Sequence, residues 1–119
     1  MLEHELYEIE RCDGSGFTLR LLPGSAIYEG HFPGNPVTPG VCQVGIVQEL
    51  LQRLRGVLLT LREVKNLKFV DVLRPEPDVF PTVLFDLVIE NGNLLSVKGL
   101  IGVGERVLTK FSLVFGKES

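Results

Sequence analysis

The sequence is poor in the residues and patterns that mark several classes of protein. Its 119 residues include two cysteines, Cys12 and Cys42, and two histidines, His4 and His31, whose spacing is not that of a zinc site. No apolar run approaches the ~18 residues of a membrane-spanning helix. The first ten residues, MLEHELYEIE, are acidic and unlike a signal peptide. We therefore expect a cytoplasmic protein with no membrane association, no metal and no cofactor.

Basic runs are missing as well. The chain carries 12 lysines and arginines against 15 acidic residues, a net charge of −3, and no basic stretch is interleaved with aromatic residues. We therefore expect no nucleic-acid partner. Hydrophobic residues make up 45% and charged residues 23%, as in an ordinary soluble globular protein. A chain of this length has room for one core, which predicts a single domain over residues 1–119.

Hydrophobic periodicity predicts one long helix among β-strands. The helix is expected to start with Thr38 as N-cap and Pro39 in its first turn, and to end at Gly56. Its first half is apolar or uncharged nearly all round, which indicates a buried helix, most economically covered by a sheet curled around it. Strands are predicted over residues 5–10, 16–22, within 58–72, and over 82–90, 94–103 and 106–115, with tight turns at Asn91-Gly92 and Gly104-Glu105. The pattern predicts an α+β fold, with one long central helix wrapped by a five- to six-stranded antiparallel sheet.

A stretch rich in proline and glycine precedes the helix. Residues 23–40 hold four of the seven prolines and four of the thirteen glycines. Because proline fixes φ and lacks an amide donor, we expect almost no regular helix or strand there. Loops longer than ~12–15 residues are usually functional or disordered. The apolar side chains of Ile27, Tyr28, Phe32 and Val37 favour an ordered, functional loop.

The chemistry of this loop centres on residues 30–41, GHFPGNPVTPGV. The segment places His31 shortly before the predicted helix N-terminus. The N–H groups of a first helical turn, including that of Gly40, carry partial positive charge, and glycine lets a ligand approach the backbone closely. An imidazole base beside such amides suits removal of a proton next to a carbonyl, because the amides can stabilise the enolate oxygen.

This segment resembles the signature of the 3-hydroxyacyl-acyl-carrier-protein dehydratases of bacterial fatty-acid synthesis, which have the hot-dog fold. Residues 67–75, LKFVDVLRP, are similar to the strand that follows the helix in that family. The resemblance implies that His31 is the general base at the substrate's α-carbon. It also implies that the Gly40 amide binds the thioester carbonyl and that the Val37 carbonyl orients the histidine ring. The substrate-binding residues implied in this way are Phe32, Val37, Gly40 and Val41.

The same resemblance implies the substrate and the assembly. The substrate would be a thioester of acyl-carrier protein or of coenzyme A. The protein would be a homodimer, or a higher oligomer of dimers, in which the loop of one chain meets the helix of the other. A different hot-dog protein is a possible hetero-partner.

The sequence departs from the family pattern at one catalytic position. Family members carry Glu or Asp fourteen residues after the histidine, and here that position is Gly45. Four residues later, where the family usually has glutamine, stands Glu49, on the same helix face and about 6 Å further along the axis. We therefore predict His31 and Glu49 as the catalytic residues, with water or the imidazolium itself as alternative sources of the second proton.

Three functions remain open at this point. The first is a hydro-lyase that converts 3-hydroxyacyl thioesters to trans-2-enoyl thioesters in fatty-acid or related acyl-chain synthesis. The second is a non-catalytic hot-dog subunit that binds acyl chains or pairs with an active dehydratase. The third is an acyl thioesterase, although thioesterases of this fold generally lack the His-Phe-Pro-Gly loop. The intact His31 favours the first function, and the loss of the carboxylate at Gly45 favours the second.

Overall fold

The computed structural model describes residues 1–30 and 34–118. Within them the chain forms two helices and one sheet of six strands: β1 Tyr7–Asp13, β2 Gly16–Leu21, α1 Ala26–Glu29, α2 Gly40–Arg55, β3 Leu59–Phe69, β4 Thr82–Asn91, β5 Leu94–Val103 and β6 Arg106–Lys117. The strand order is β1-β2-β4-β5-β6-β3, and every neighbouring pair is antiparallel. The predicted α+β architecture, with one long helix and an antiparallel sheet, is confirmed.

The helix α2 packs one face against the sheet. Its buried apolar residues Ile46, Val47, Leu50 and Leu51 join the side chains of the strands in one hydrophobic core. Gly56 ends the helix with a φ of 65°, as its position in the sequence predicted. Within the described part of the chain, no helix is long and apolar enough to span a membrane.

The last two hairpins have two-residue turns that begin with a glycine at positive φ. Gly104 has a φ of 59° and opens the predicted turn between β5 and β6. The turn between β4 and β5 lies one residue later than predicted. Asn91 still pairs with Leu94, so the turn residues are Gly92, with a φ of 60°, and Asn93. The glycine takes the first turn position because only there does the backbone require positive φ.

The stretch before α2 contains one short helix that the sequence did not predict. The helix α1 begins after Ser25, whose hydroxyl accepts a hydrogen bond from the Ile27 amide at 3.3 Å. The side chain of Tyr28 is buried against the core. The expectation of almost no regular helix or strand was therefore wrong for these four residues, since a cap and one buried aromatic side chain outweighed the high local content of proline and glycine.

The strand β3 forms an unusually long open edge of the sheet. It has eleven residues and pairs with β6 on one side only. Most of its residues are exposed, including Leu61, Val64 and Phe69. A long edge strand with exposed apolar side chains is a surface that proteins usually cover by pairing.

Candidate functional site

Two of the predicted site residues, His31 and Phe32, lie outside the described residues, and their roles stay predictions. The structure does describe both flanks of their segment. On one side lies Tyr28, the buried residue of α1. On the other side lies Thr38, which precedes α2. The hydroxyl groups of these two residues are hydrogen-bonded at 2.8 Å. The two flanks are therefore joined by their side chains.

Two of the predicted substrate-binding residues, Gly40 and Val41, lie in the first turn of α2. Gly40 is the first helical residue and is half-buried, whereas the side chain of Val41 is 80% exposed. Val37 is half-buried in the preceding segment. The N-cap is Pro39, which offers no side-chain cap, and the first amides bonded to its carbonyl oxygen are those of Cys42 and Gln43. The positive end of a 16-residue helix therefore lies within the last residues of the motif.

Thr38 does not cap the helix as predicted. The helix begins one residue later, and the Thr38 hydroxyl is bonded to Tyr28. Its amide donates to the carbonyl oxygen of Leu73 at 2.7 Å, and its carbonyl oxygen accepts from Gln43 Nε2 at 3.2 Å. Thr38 is thus anchored through its amide, carbonyl and hydroxyl groups to three separate parts of the fold.

Phe69, the last residue of β3, covers Gly40. A Cβ built on Gly40 would lie 2.6 Å from Phe69 Cζ and 3.0 Å from Cε2. Any larger residue at position 40 would therefore push the ring aside. The family resemblance placed Phe69 within residues 67–75, which are similar to a strand of the family. Nothing in the sequence around Phe69 indicated that its ring lies over Gly40.

A buried polar network lies beside the start of α2. The sequence analysis did not predict it. Gln43 Nε2 donates to the Thr38 carbonyl oxygen, and Gln43 Oε1 accepts from the Thr109 hydroxyl on β6 at 2.6 Å. Tyr28, Thr38, Gln43 and Thr109 are each at least 95% buried. The available signal was weak: a glutamine on the otherwise apolar face of a helix.

Glu49 lies in a different part of the helix from Gly40. The two are nine residues apart, or about 13 Å along the axis. Its carboxylate accepts hydrogen bonds from the amides of Leu2 at 2.7 Å and Glu3 at 2.9 Å, and from the Tyr7 hydroxyl at 3.0 Å. In this arrangement Glu49 anchors the N-terminal segment. Three of the roughly four acceptor positions of the carboxylate are thus used within the chain.

The position of the missing family carboxylate is covered by the same N-terminal segment. A Cβ built on Gly45 would lie 2.7 Å from Leu2 Cδ1. Leu2 therefore occupies the space next to the helix that a side chain at position 45 would enter. The sequence contained one hint of this contact, the absence of a side chain at Gly45, but no indication of what fills the space.

Both tyrosines of the chain are held in their neutral form. Burial, followed by the nearby negative charge of Glu49, raises the pKa of Tyr7 well above its usual range. Burial also raises the pKa of Tyr28, partly offset by its hydrogen bond with Thr38. The neutral Tyr7 hydroxyl is the form that donates to Glu49.

This shift predicts a loss of stability in alkali. An unfolded chain releases its tyrosine protons near pH ~10, whereas the folded chain retains them to higher pH. The stabilisation is therefore complete below about pH 10 and declines as the pH rises further. We expect thermal melts from about pH 8 to about pH 11 to show this decline, and Tyr7→Phe to make it shallower. Tyrosinate absorbance that rises near pH ~10 while the protein is still folded would contradict the assignment.

Comparison with protein families and curated proteins identifies relatives of the chain. The sequence profile of the ApeI-like family, described as ApeI dehydratase, matches residues 10–91, about two thirds of the chain. A 3-hydroxyacyl-[acyl-carrier-protein] dehydratase FabZ from Levilactobacillus brevis is 35% identical over 98 residues. That match covers 74% of this chain and 63% of the relative, so the chain spans less than two thirds of the relative's length.

Solved structures share the fold across nearly the whole chain. The dehydratase heterocomplex ApeI:P from Xenorhabdus doucetiae matches with a TM-score of 0.63 and 20% identity, covering 96% of this chain and 99% of that one. A mutant hypothetical thioesterase from Streptococcus pneumoniae matches with a TM-score of 0.66 and 14% identity, covering 98% and 93% of the two chains. At these identities the structural matches establish a common fold and no common activity.

Proposed function

The chain belongs to the ApeI-like dehydratase family and has the predicted hot-dog fold, and from this premise we propose that it dehydrates 3-hydroxyacyl thioesters to trans-2-enoyl thioesters. The pathway would be fatty-acid or related acyl-chain synthesis, because the curated relative is named a 3-hydroxyacyl-[acyl-carrier-protein] dehydratase. The substrate carrier is acyl-carrier protein or coenzyme A. The predicted cytoplasmic location stays a prediction.

The proposed reaction moves two protons. His31 removes a proton from the α-carbon, and the electron pair of the broken C–H bond forms the new carbon–carbon double bond. The amide of Gly40 and the start of α2 hold the thioester oxygen while it carries negative charge. The bond from the β-carbon to the hydroxyl oxygen breaks, and the hydroxyl leaves as water after it gains a proton. The candidates for that second donor are Glu49, a water molecule and the imidazolium of His31.

One observation supports this proposal above the others. The segment that carries His31 leads into the N-terminus of a 16-residue helix whose first residue is Gly40 and whose N-cap has no side-chain hydrogen bond. Such a terminus offers amide donors that can stabilise an enolate oxygen. The combination suits proton removal beside a carbonyl.

The test is an assay of the purified protein with 3-hydroxyacyl thioesters of several chain lengths on both carriers. We expect formation of the enoyl thioester, read from its ultraviolet absorbance, without release of the carrier thiol. Thiol release without enoyl product would support the thioesterase function, for which the structural likeness provides only a shared fold. Neither product from any substrate would contradict the proposed activity.

We further propose that the chain forms a homodimer through the open edge of β3. This edge is eleven residues long and exposes Leu61 and Val64. Pairing two such edges antiparallel would satisfy their unpaired backbone groups and cover the apolar side chains. The solved relative named as a heterocomplex suggests that a different partner is a further option for this surface.

Light scattering of the unmodified protein and of two matched variants tests this assembly. Val64 is 47% exposed on β3, and Ile89 is 50% exposed on β4. We expect a dimer at micromolar concentration for the unmodified protein and for Ile89→Lys, and a weakened dimer for Val64→Lys, because a lysine disfavours pairing of an edge strand. A monomeric unmodified protein, or equal effects of both substitutions, would contradict the proposed interface.

A non-catalytic subunit is the second candidate function. The observation in its favour is the contact of Leu2 with Gly45, which fills the position of the family carboxylate while Glu49 is bonded elsewhere. Such a chain would bind acyl groups or pair with an active hot-dog partner. It would show no dehydratase activity alone.

A further inference from the structure

The ring of Phe69 lies at the N-terminal end of α2, against its first residue. A Cβ built on Gly40 would lie 2.6 Å from Phe69 Cζ, 3.0 Å from Cε2 and 3.3 Å from Cε1, so the tip of the ring points at the glycine. In a helix the Cα–Cβ direction tilts toward the N-terminus, and the free N–H groups of the first turn point the same way. The ring therefore lies on the side from which a ligand would approach these amides.

The amide of Gly40 has no partner within the described part of the chain. The carbonyl oxygen of Pro39 accepts from the amides of Cys42 and Gln43, and no hydrogen bond joins the Gly40 amide to a described residue. Gly40 is half-buried, with the apolar ring of Phe69 as its neighbour. A peptide N–H that is partly buried without an acceptor costs free energy. The helix start thus holds a covered donor that a ligand oxygen could satisfy.

The side chain of Phe69 can move while its backbone stays fixed. Phe69 is the last residue of β3, and the amides of the next two residues, Val70 and Asp71, both donate to the carbonyl oxygen of Leu108, at 2.8 and 3.1 Å. The ring is 48% exposed and, among the described residues, is not part of the hydrophobic core. Exposed side chains change rotamer rapidly. The ring can therefore leave Gly40 without disturbing the sheet.

We propose that Phe69 is a gate for the thioester. In the unliganded protein its ring covers Gly40, and the ring swings aside before the thioester oxygen reaches the Gly40 amide. This inference rests on the proposed function for the identity of the ligand. When a ligand binds only the open form of a protein, its apparent affinity is reduced by the fraction of molecules in that form. Phe69 therefore acts on KM and leaves the chemical step unchanged.

The first experiment compares two exposed phenylalanines. Phe69→Ala removes the ring from Gly40. The control, Phe80→Ala, removes a ring that is 44% exposed, lies outside the core and precedes β4 by two residues. We expect Phe69→Ala to lower KM for 3-hydroxyacyl thioesters by about threefold or more, with kcat changed by less than about twofold, and Phe80→Ala to change neither. A KM that rises in Phe69→Ala would overturn the gate, since the ring would then belong to the surface that binds substrate.

The second experiment follows the ring without an activity assay. Phe69→Leu and Phe80→Leu identify the aromatic NMR signals of the two rings in the unmodified protein. Without ligand, we expect nuclear Overhauser contacts between the Phe69 ring protons and the α protons of Gly40. Saturation with crotonyl-coenzyme A or crotonyl-acyl-carrier protein, two trans-2-enoyl thioesters, should weaken these contacts and shift the Phe69 signals. Free coenzyme A, which lacks the thioester carbonyl, should do neither, and the Phe80 signals should stay the same throughout.

The outcomes distinguish failure of the gate from failure of the proposed function. Phe69 signals that respond to a crotonyl thioester in a protein without dehydratase activity would support the gate and contradict the activity. An active protein with equal KM in Phe69→Ala and the unmodified chain would overturn the gate and leave the activity intact. Contacts between Phe69 and Gly40 that persist at saturating ligand would do the same. A protein that neither binds nor converts any of these thioesters would overturn both.

Discussion

Replacing His31 by alanine is expected to slow dehydration of a 3-hydroxyacyl thioester by ~10²–10⁴-fold, the usual contribution of a positioned general base. The physical reason is that no other neutral side chain in residues 30–41 can accept the α-proton near neutral pH. The measurement is the initial rate of enoyl formation, made at saturating substrate together with a thermal melt. The melting temperature should remain nearly unchanged, because a residue that serves as a catalytic base contributes to the reaction rather than to folding.

The other histidine supplies the control for this experiment. His4 is an exposed residue of the N-terminal segment, bonded to Glu8 at 2.8 Å. His4→Asn should retain full activity. Equal rates for His31→Ala and the unmodified protein would rule out the catalytic role. A large drop in melting temperature with His31→Ala would instead assign the residue to structure.

Much of the fold could be predicted because its determinants are local. Gly56 ends α2 with a left-handed conformation, and Gly104 opens a two-residue turn, so each boundary depends on one residue and its own backbone. The strand predicted over residues 94–103 matches β5 at both ends. The alternation of apolar and polar residues along a strand, and the spacing of apolar residues in a helix, can be recognised over a few residues. These two patterns decide where each element lies.

The parts of the site that were missed depend on contacts between distant residues. The bond between Thr109 and Gln43 joins residues 66 positions apart, and the bond between Leu2 and Glu49 joins residues 47 positions apart. Nothing in the neighbourhood of either residue in the sequence indicates its partner. Gly45 shows the limit most clearly, because a missing side chain indicates available space and cannot indicate that Leu2 fills it.

One substitution distinguishes an anchoring role of Glu49 from a role in proton transfer. Glu49→Gln leaves the size of the side chain unchanged but replaces one acceptor oxygen by a donor group. Since the carboxylate accepts from the Leu2 and Glu3 amides and from Tyr7, at least one of these bonds must be lost. We expect a destabilisation of about 1–3 kcal/mol, measured by denaturant unfolding, and a change in turnover of less than about threefold, within the range of indirect effects.

The comparison with Tyr7→Phe checks this interpretation. That variant removes one of the three donors and should cost less stability than Glu49→Gln. If Glu49→Gln lowered turnover by ~10²-fold or more while stability stayed the same, Glu49 would be the second proton donor and its bonds to the N-terminal segment would open during turnover.

Restoring the family carboxylate by Gly45→Glu is expected to fail while Leu2 is anchored. The new Cβ would lie 2.7 Å from Leu2 Cδ1, so the segment or the side chain must move. Such overpacking typically costs ~1–3 kcal/mol, against which the removal of a helical glycine returns only ~1 kcal/mol. We therefore expect Gly45→Glu alone to lower stability without a gain in dehydration rate.

The double substitution Gly45→Glu with Glu49→Gln should behave differently from the sum of its parts. Glu49→Gln weakens the anchor that holds Leu2 over position 45, so the new carboxylate can displace Leu2 at lower cost. A double-mutant cycle should show a favourable coupling of at least ~0.5 kcal/mol in unfolding free energy. The double variant also recreates the family's residue pair, and its dehydration rate should exceed that of either single variant. If the double variant and the unmodified protein were both inactive on every 3-hydroxyacyl thioester, the non-catalytic subunit would be the better description of this chain.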